Sequence, residues 1–406
     1  MWSTPSQDWF SPGANLGILG GGQLGRMFAL AARSLGYRGH VFSEEKNSPA
    51  GQVADSETVG DFLDEDAIAR FSAGIDVATF EIENLPYETA LRISEMVPVR
   101  PDPSILRVCQ HRTREKNFLA ANGFPVAPFV DINSDQDLQD GLRLIGMPAI
   151  LKTVDGGYDG KGQCFIAKPS DAATAIARHA GQAMVLEKAI DLAMELSVIV
   201  ARGSDGHVAH WGVIANRHEH HILDVSMAPG EIAPELADEA ITMATEIAQQ
   251  LDLVGVMCVE FFLDSRGKLL VNELAPRPHN SGHLTIEASP TSQFEQQVRA
   301  ICGLPLGSTA IVRPAAMANL LGDLWDEGVP HFERISAYRN VRLHLYGKAN
   351  PRPGRKMGHV TALGRTPAEA GRIVRKARNA IRGNENPQAT DFGASVESTQ
   401  LLPCPS

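Results

Sequence analysis

The sequence predicts an α/β protein divided into more than one domain. Three features lead there. A short apolar run, Leu16-Gly17-Ile18-Leu19, passes straight into glycines and then into a segment with helical spacing. Strand-like and helix-like segments continue to alternate over the first hundred residues, the pattern of a parallel sheet with crossover helices. The chain is 406 residues long, more than one ordinary core accommodates, so two or three domains follow.

In order along the chain, residues 1–14 are polar, carry Pro5 and Pro12, and read as a flexible lead-in rather than a secretory signal. The first strand is Leu16–Leu19. Leu24, Met27, Phe28, Ala31 and Leu35 then recur at helical spacing. His40-Val41-Phe42 and Ile75 to Phe80 supply further strands, and this unit, 15–110, closes near Pro101 to Pro103. A second unit, 111–305, begins with a helix around Phe118 and Leu119 that stops at Asn122-Gly123. It continues with a helix from Asp135 to Gly146, a strand ending on Lys152, and strand runs at Met184–Glu187 and Glu195–Val200. An amphipathic helix spans Pro234 to Leu251. Val256–Leu263 and Lys268–Glu273 form a hairpin turned at Asp264 to Gly267. From 306 to 406 short strand pieces, Ala316–Leu321 and Val341–Leu345, alternate with Pro/Gly turns, as in a small β-rich domain.

Composition is that of a soluble protein, 43% hydrophobic and 21% charged. A net charge of −11 argues against a general nucleic-acid binder, which needs a basic surface to displace counterions. No apolar run is long enough to span a membrane. The five cysteines are dispersed without a C-x-x-C pair, which predicts reduced thiols in a cytoplasmic protein.

Gly20 to Gly25 fits G-x-G-x-x-G between a strand and a helix, with Glu44 and Glu45 where a ribose-binding acid belongs. This permits a nicotinamide site, or merely a tight turn whose free helix end attracts an anion. Gly156 to Gly162 is not a Walker loop. Its amides either converge on phosphate oxygens, with Tyr158, Asp159 and Lys161 beside them, or form an ordinary polar turn. Glu260 and Asn272-Glu273 lie on adjacent apolar strands, where unpaired acids carry a burial cost. That favours hard oxygen ligands for Mg²⁺. Arg277, His279, Asn280, Ser281 and His283 make the next loop dense in donors, either a polyanion or bicarbonate site or a solvated loop. His218-Glu219-His220-His221 misses the H-E-x-x-H zinc pattern because residue 222 is Ile. Lys348 and the turn Pro351 to Lys356 concentrate cations, suited to a phosphate or to solvent.

Taken together, GGGQLGRM (20–27), KTVDGGYDGKGQ (152–163), NELAPRPHNSGH (272–283) and GRKMGH (354–359) resemble, in order, the N5-carboxyaminoimidazole ribonucleotide synthases of the ATP-grasp superfamily. The resemblance runs from about residue 15 to 390. It implies an ATP-grasp fold with a Rossmann-like N-terminal domain and a small β-rich C-terminal domain, a homodimer, and a ligase acting on 5-aminoimidazole ribonucleotide, ATP and bicarbonate with Mg²⁺. It further implies ATP contacts at Arg112, Lys116, Lys152, Gly157, Tyr158, Asp159, Gly160, Lys161, Gly162, Gln163, Glu187, Lys188, Ala189, Ile190, Glu195, His218, Asn272 and Glu273. Glu260 and Glu273 are implied for the metal. Tyr158, Asp159, Lys161, Arg277 and Lys356 are implied for catalysis. By likeness to the related formate-using glycinamide ribonucleotide transformylase, the ribonucleotide is expected near Gln23, Leu24, Glu81, Lys348, Arg355 and Lys356; His279 and Asn280 of the donor-rich loop are expected to bind substrate as well. Some members carry arginine where this chain has Lys161, and a lysine there loses the two-point fork. The rivals are another ATP-grasp ligase, a nicotinamide oxidoreductase built on the first glycine motif, and a non-catalytic ATP-grasp protein.

Overall fold

A computed structural model describes residues 9–156, 162–178 and 182–382. The first sheet contains β1 (Asn15–Leu19), β2 (Arg38–Ser43), β3 (Ser56–Val59) and β4 (Val77–Phe80), in the order β3-β2-β1-β4. Its three pairings are all parallel. The crossovers use α1 (Gln23–Ser34) and α2 (Glu65–Ser72), and α3 (Tyr87–Ser94) follows β4. Leu16, Ile18 and Leu19 are fully buried, as a strand covered on both faces requires. α1 buries Leu24, Met27 and Phe28 on its inner stripe. Strand β3 is absent from the reading by sequence. Its Ser-Glu-Thr-Val has no apolar run because it is a half-exposed edge.

Helices α4 (Pro103–Cys109) and α5 (Arg112–Ala121) lead to a second sheet of β5 (Phe129–Ile132), β6 (Ala149–Thr153), β7 (Gln163–Ile166) and β8 (Met184–Lys188). It is antiparallel, ordered β5-β8-β6-β7, and packs against α6 (Asp135–Ile145) and α7 (Pro169–Arg178). α6 begins where the Ser134 side chain accepts from the Asp137 amide and stops at Gly146, whose φ is +74°.

The third sheet joins β9 (Leu192–Arg202), β10 (Val208–Glu219), β11 (Ile222–Ala228), β12 (Gly255–Asp264), β13 (Leu269–Ala275), β14 (Ala315–Leu321), β15 (Val341–Leu345) and β16 (Lys356–Leu363). Its order is β13-β12-β9-β10-β11-β14-β16-β15. α8 (Pro234–Gln250) lays Ala240, Met243, Ala244, Ile247 and Ala248 onto a core that includes Leu196, Val198 and Val259. After α9 (Thr285–Ala288) and α10 (Gln293–Ile301), the C-terminal strands continue this same sheet through the pairing of β11 with β14. They are covered by α11 (Pro367–Ala380). The β10–β11 hairpin turns on His220 and His221, with φ of +51° and +65°. Of the histidine cluster singled out in the sequence, His220 and His221 form this turn, of the kind that needs positive φ at both central residues, while His218 and Glu219 end β10. Among the described residues no helix is long and apolar enough to cross a membrane. Cys109, Cys258 and Cys302 are free thiols, whereas Cys164 is disulfide-bonded, against the expectation for that residue.

At the β1–α1 turn Gly20 has φ of +107°, and a Cβ there would lie 2.6 Å from Glu81 Oε1. Gly20→Ala is expected to cost roughly 2 kcal/mol, combining left-handed strain with displacement of Glu81. A lower urea midpoint checks this, and an unchanged one would contradict the turn geometry.

Candidate active site

A cleft of about 1420 Å³ opens where the three sheets meet. Its walls come from the β1–α1 turn, the segment after β4, α5, the second sheet, the β9–β13 part of the third sheet, and the start of β16.

The deepest charges come from α5, β6 and β8. Lys152 Nζ donates to Glu187 Oε2 at 2.9 Å, and Lys116 Nζ lies 3.3 Å from the same oxygen. All three side chains are buried. Burial opposes ionisation of Glu187, yet the two ammonium groups and Arg112 hold its carboxyl down to about 2. For Lys152, burial lowers the affinity for its proton, and Lys116 and Arg112 add repulsion against the attraction of Glu187. Three cations thus surround one carboxylate, an excess of positive charge suited to phosphate oxygens.

Opposite this cluster, Glu260 and Glu273 are direct cross-strand partners, so their side chains leave the same face. The register then slips so that Phe261 pairs with Val271, making Asn272 the extra residue of a bulge. That is why Asn272 and Glu273, though consecutive, both reach the cleft. Asn272 Nδ2 lies 3.5 Å from Glu260 Oε2, and His279 Nε2 lies 3.1 Å from Glu260 Oε1. Burial raises the Glu260 carboxyl, but His279, His218 and Asn272 outweigh it and bring the value to about 2. Glu273 is pushed up by burial, with Glu260 and Glu83 adding repulsion against Arg112. Arg112 Nη1 lies 3.5 Å from Glu273. Two facing carboxylates that repel one another suit a divalent cation. Among the described residues no three His, Cys, Asp or Glu form a complete cage. This donor set fits Mg²⁺, which takes one or two carboxylates and leaves its other positions to phosphate and water.

The first glycine motif is occupied differently from the expectation of a free helix end. Glu81 accepts from the Gly22 amide at 2.7 Å and from Gly25 at 3.2 Å, so the anion at the start of α1 is the chain's own carboxylate. Glu81 is buried, and burial raises its carboxyl. Across from it, Lys348 Nζ donates to Gln23 Oε1 at 2.7 Å and to the Lys356 carbonyl at 2.8 Å. Burial, Arg355 and Lys356 bring Lys348 down to about 8 despite Glu81.

Of the residues singled out in the sequence, Gln23, Leu24, Glu81, Arg112, Lys152, Gln163, Glu187, Lys188, Ile190, Glu195, His218, Glu260, Asn272, Glu273, Arg277, His279, Asn280 and Lys356 line this cleft. Lys116 acts from behind Glu187 and Lys348 from behind Gln23. Ala189, Gly162 and Arg355 are not among the lining residues, and Arg355 donates instead to the Asn350 carbonyl at 2.8 Å. Gly157, Tyr158, Asp159, Gly160 and Lys161 lie outside the described residues. His218 is held by Glu195 at 2.6 Å, which raises its affinity for a proton against its burial.

Two acids escaped the reading by sequence. Glu83 receives Arg277 Nη2 at 2.7 Å, and Glu115 accepts from the Leu274 amide at 2.6 Å. Glu115 had a signal, since Arg112, Glu115 and Lys116 share one face of α5 at i, i+3 and i+4. Glu83 had none, because its partner is 194 residues away.

This fold and cleft define an ATP-grasp protein, and residues 117–294 match the ATP-grasp domain family. Residues 14–110 match the ribonucleotide synthetase preATP-grasp domain, and residues 315–372 the phosphoribosylaminoimidazole carboxylase C-terminal domain. The N5-carboxyaminoimidazole ribonucleotide synthase of Bacillus subtilis is 40% identical over 87% of this chain and 92% of its own length. That of Brucella melitensis is 41% identical over 87% and 97%. The Thermus thermophilus synthetase structure superposes with a TM-score of 0.84 at 40% identity, covering 92% of this chain and all of that one. An Aspergillus clavatus synthase, solved with ADP and 5-aminoimidazole ribonucleotide, gives 0.82 at 28% identity, covering 91% and 99%. The chain belongs to the N5-carboxyaminoimidazole ribonucleotide synthase family.

Because the folded value of Glu187 lies below its ordinary 4.5, its stabilisation is present above that pH and is lost as pH falls toward about 2. Glu187→Gln is expected to cost about 3 kcal/mol at neutral pH, since two buried ammonium groups lose their counter-charge. Its urea midpoint should fall less steeply than the parent's between pH 4.5 and about 2. Parallel pH profiles would contradict the pairing.

Proposed function

We propose that this chain carboxylates the amine of 5-aminoimidazole ribonucleotide with bicarbonate and ATP, giving N5-carboxyaminoimidazole ribonucleotide, ADP and phosphate in purine biosynthesis. The observation that carries the proposal is one cleft with two unlike ends. Arg112 and Lys152 face the Glu260–Glu273 pair at one end with Lys116 behind Glu187, and Gln23, Glu81 and Lys356 gather at the other with Lys348 behind Gln23. The relative from Aspergillus clavatus binds ADP and the ribonucleotide, in keeping with two such subsites.

Bicarbonate is a poor electrophile and must be activated before an aromatic amine attacks it. A bicarbonate oxygen attacks the γ-phosphorus, ADP leaves, and carboxyphosphate results. The amine nitrogen then takes the carboxyl carbon, phosphate departs, and the amine proton is lost. Lys152 and Lys116 place positive charge at the transferring phosphoryl group, and Glu187 keeps both ammonium groups aimed. Glu260 and Glu273 would hold Mg²⁺, which when bound neutralises phosphate charge. Arg277, oriented by Glu83 at 2.7 Å, offers a cation to bicarbonate and to the mixed anhydride. Tyr158 and Asp159 are assigned to shielding the intermediate from water, with Asp159 accepting the amine proton and Lys161 offering an anion contact. His279 and Asn280 face the ribonucleotide amine, and Lys356, with Lys348 behind Gln23, supplies charge for its phosphate.

We further propose domains at 15–110, 111–305 and 306–406 after an N-terminal segment of residues 1–14, a homodimeric state and a cytoplasmic setting. Nucleic acid and membrane are not among the partners proposed.

Glu260→Gln is expected to lower kcat/KM about a hundredfold or more and to raise the Mg²⁺ requirement. Turnover near the parent's with the same Mg²⁺ dependence would refute that assignment. Lys356→Ala should raise the KM for the ribonucleotide about tenfold and leave that for ATP unchanged, as loss of one charged phosphate contact predicts. Phosphate release should require bicarbonate with 5-aminoimidazole ribonucleotide. Release with formate and glycinamide ribonucleotide would instead favour a transformylase.

A further inference from the structure

Behind the loop that carries His279 and Asn280, three imidazole rings gather in the interior. His344 on β15 stacks on His359 of β16, with centroids 4.4 Å apart and planes at 12°. His283 approaches the same His359 ring at 4.8 Å. His283 and His359 are completely buried. The Tyr346 hydroxyl, also buried, lies 2.8 Å from His359 Nδ1, and His344 Nε2 lies 2.6 Å from Glu287 Oε1.

This cluster is linked to both walls of the ribonucleotide end. Gln293 Nε2 reaches His283 Nδ1 at 3.2 Å and donates to the His279 carbonyl at 2.7 Å, while its Oε1 accepts from the His279 amide at 2.8 Å. On the other side, the Tyr346 ring carries the Lys348 ammonium 5.6 Å from its centroid. That same ammonium contacts Gln23 and the Lys356 carbonyl. A run of bonded or stacked groups thus joins the His279 loop, the C-terminal strands and the β1–α1 turn.

Packing alone is a poor reason for this choice of residues. Nε2 of both His283 and His359 has no hydrogen-bond partner among the described residues. Apolar rings would fill the space without that desolvation penalty. The charged and titratable neighbours also disfavour protonation. After burial, His279, His344, Lys356 and Arg277 act against a proton on His283, and His283 and His344 against one on His359. Glu287 is bonded to His344. The two inner rings are therefore neutral at physiological pH, and Nδ1 of His359 is available to accept the phenolic proton.

We propose that Tyr346 and His359 are positioning residues for the ribonucleotide. Their mutual hydrogen bond sets the aromatic face on which the Lys348 ammonium rests, and the stack on His283 keys that face to the His279–Asn280 loop. The proposal rests on the reading that Lys348 and Lys356 receive the ribonucleotide phosphate.

Steady-state kinetics of the full chain test it. Tyr346→Phe and His359→Phe each keep a ring and delete the bond. Each should raise the KM for 5-aminoimidazole ribonucleotide about fivefold, the scale of one lost hydrogen bond, with kcat and the KM for ATP unchanged. The double variant should match either single one, because both remove the same bond. A purely structural role would instead lower the melting temperature without this selective rise in KM, and that result overturns the proposal. So would additive effects, or equal effects on both KM values. Tyr346→Phe is a small enough change to decide the matter if His359→Phe does not fold. Lys356→Ala separates the two claims. No rise in its ribonucleotide KM refutes the phosphate placement, whereas a rise there with none in Tyr346→Phe refutes the positioning role alone.

Discussion

The site depends first on a buried carboxylate held between two ammonium groups. Glu187 meets Lys152 at 2.9 Å and Lys116 at 3.3 Å, and these residues arise from β8, β6 and α5. An isolated buried ion is costly, so each of the three elements must be in place for the others to remain charged. The second sheet is thereby registered on α5, and α5 in turn reaches the third sheet through the bond from the Leu274 amide to Glu115. A cationic floor follows from the same arrangement, because Arg112 adds a third positive group beside Glu187. Phosphate binding is then a consequence of how the domain is held together.

A second constraint is the bulge at Asn272. In a regular hairpin only alternate residues face the cleft, and Asn272 and Glu273 would point to opposite sides. One extra residue on β13 turns both toward Glu260 without disturbing the apolar partners Val271 and Leu274, which remain buried. Carboxylates and amide are thus gathered on strands rather than on a mobile loop, and His279 from the following loop tightens Glu260 from one side. The third sheet then carries the C-terminal strands along its far edge, so Lys356 belongs to the same continuous sheet as the carboxylate pair.

Much of this was legible in the sequence wherever a local pattern specified a local structure. The strand–glycine–helix run, the amphipathic stripe of α8 and the Asp264 to Gly267 turn each carry their own signals, and the elements stand where those signals place them. Edge strand β3 lacked a pattern because it buries little, and the β10–β11 hairpin was hidden because its turn uses histidines instead of Asn-Gly. Lys152, Glu260 and Glu273 stood out as charges at the ends of apolar strands. Glu83 and the His283–His359 contact did not, since each acquires meaning only from a partner brought close by the tertiary fold, and Glu115 offered only its spacing from Arg112 on α5. The occupation of the first glycine motif by Glu81 belongs to the same class, 59 residues separating donor and acceptor.

The central claim is that the cleft phosphorylates bicarbonate before the amine attacks. Turnover with ATP, 5-aminoimidazole ribonucleotide and bicarbonate labelled in all its oxygens with oxygen-18 tests that step directly. If carboxyphosphate forms, one labelled oxygen travels from bicarbonate to the released phosphate and two remain in the carboxylated product. Released phosphate without label, formed while the product carries the labelled carboxyl group, would contradict the account.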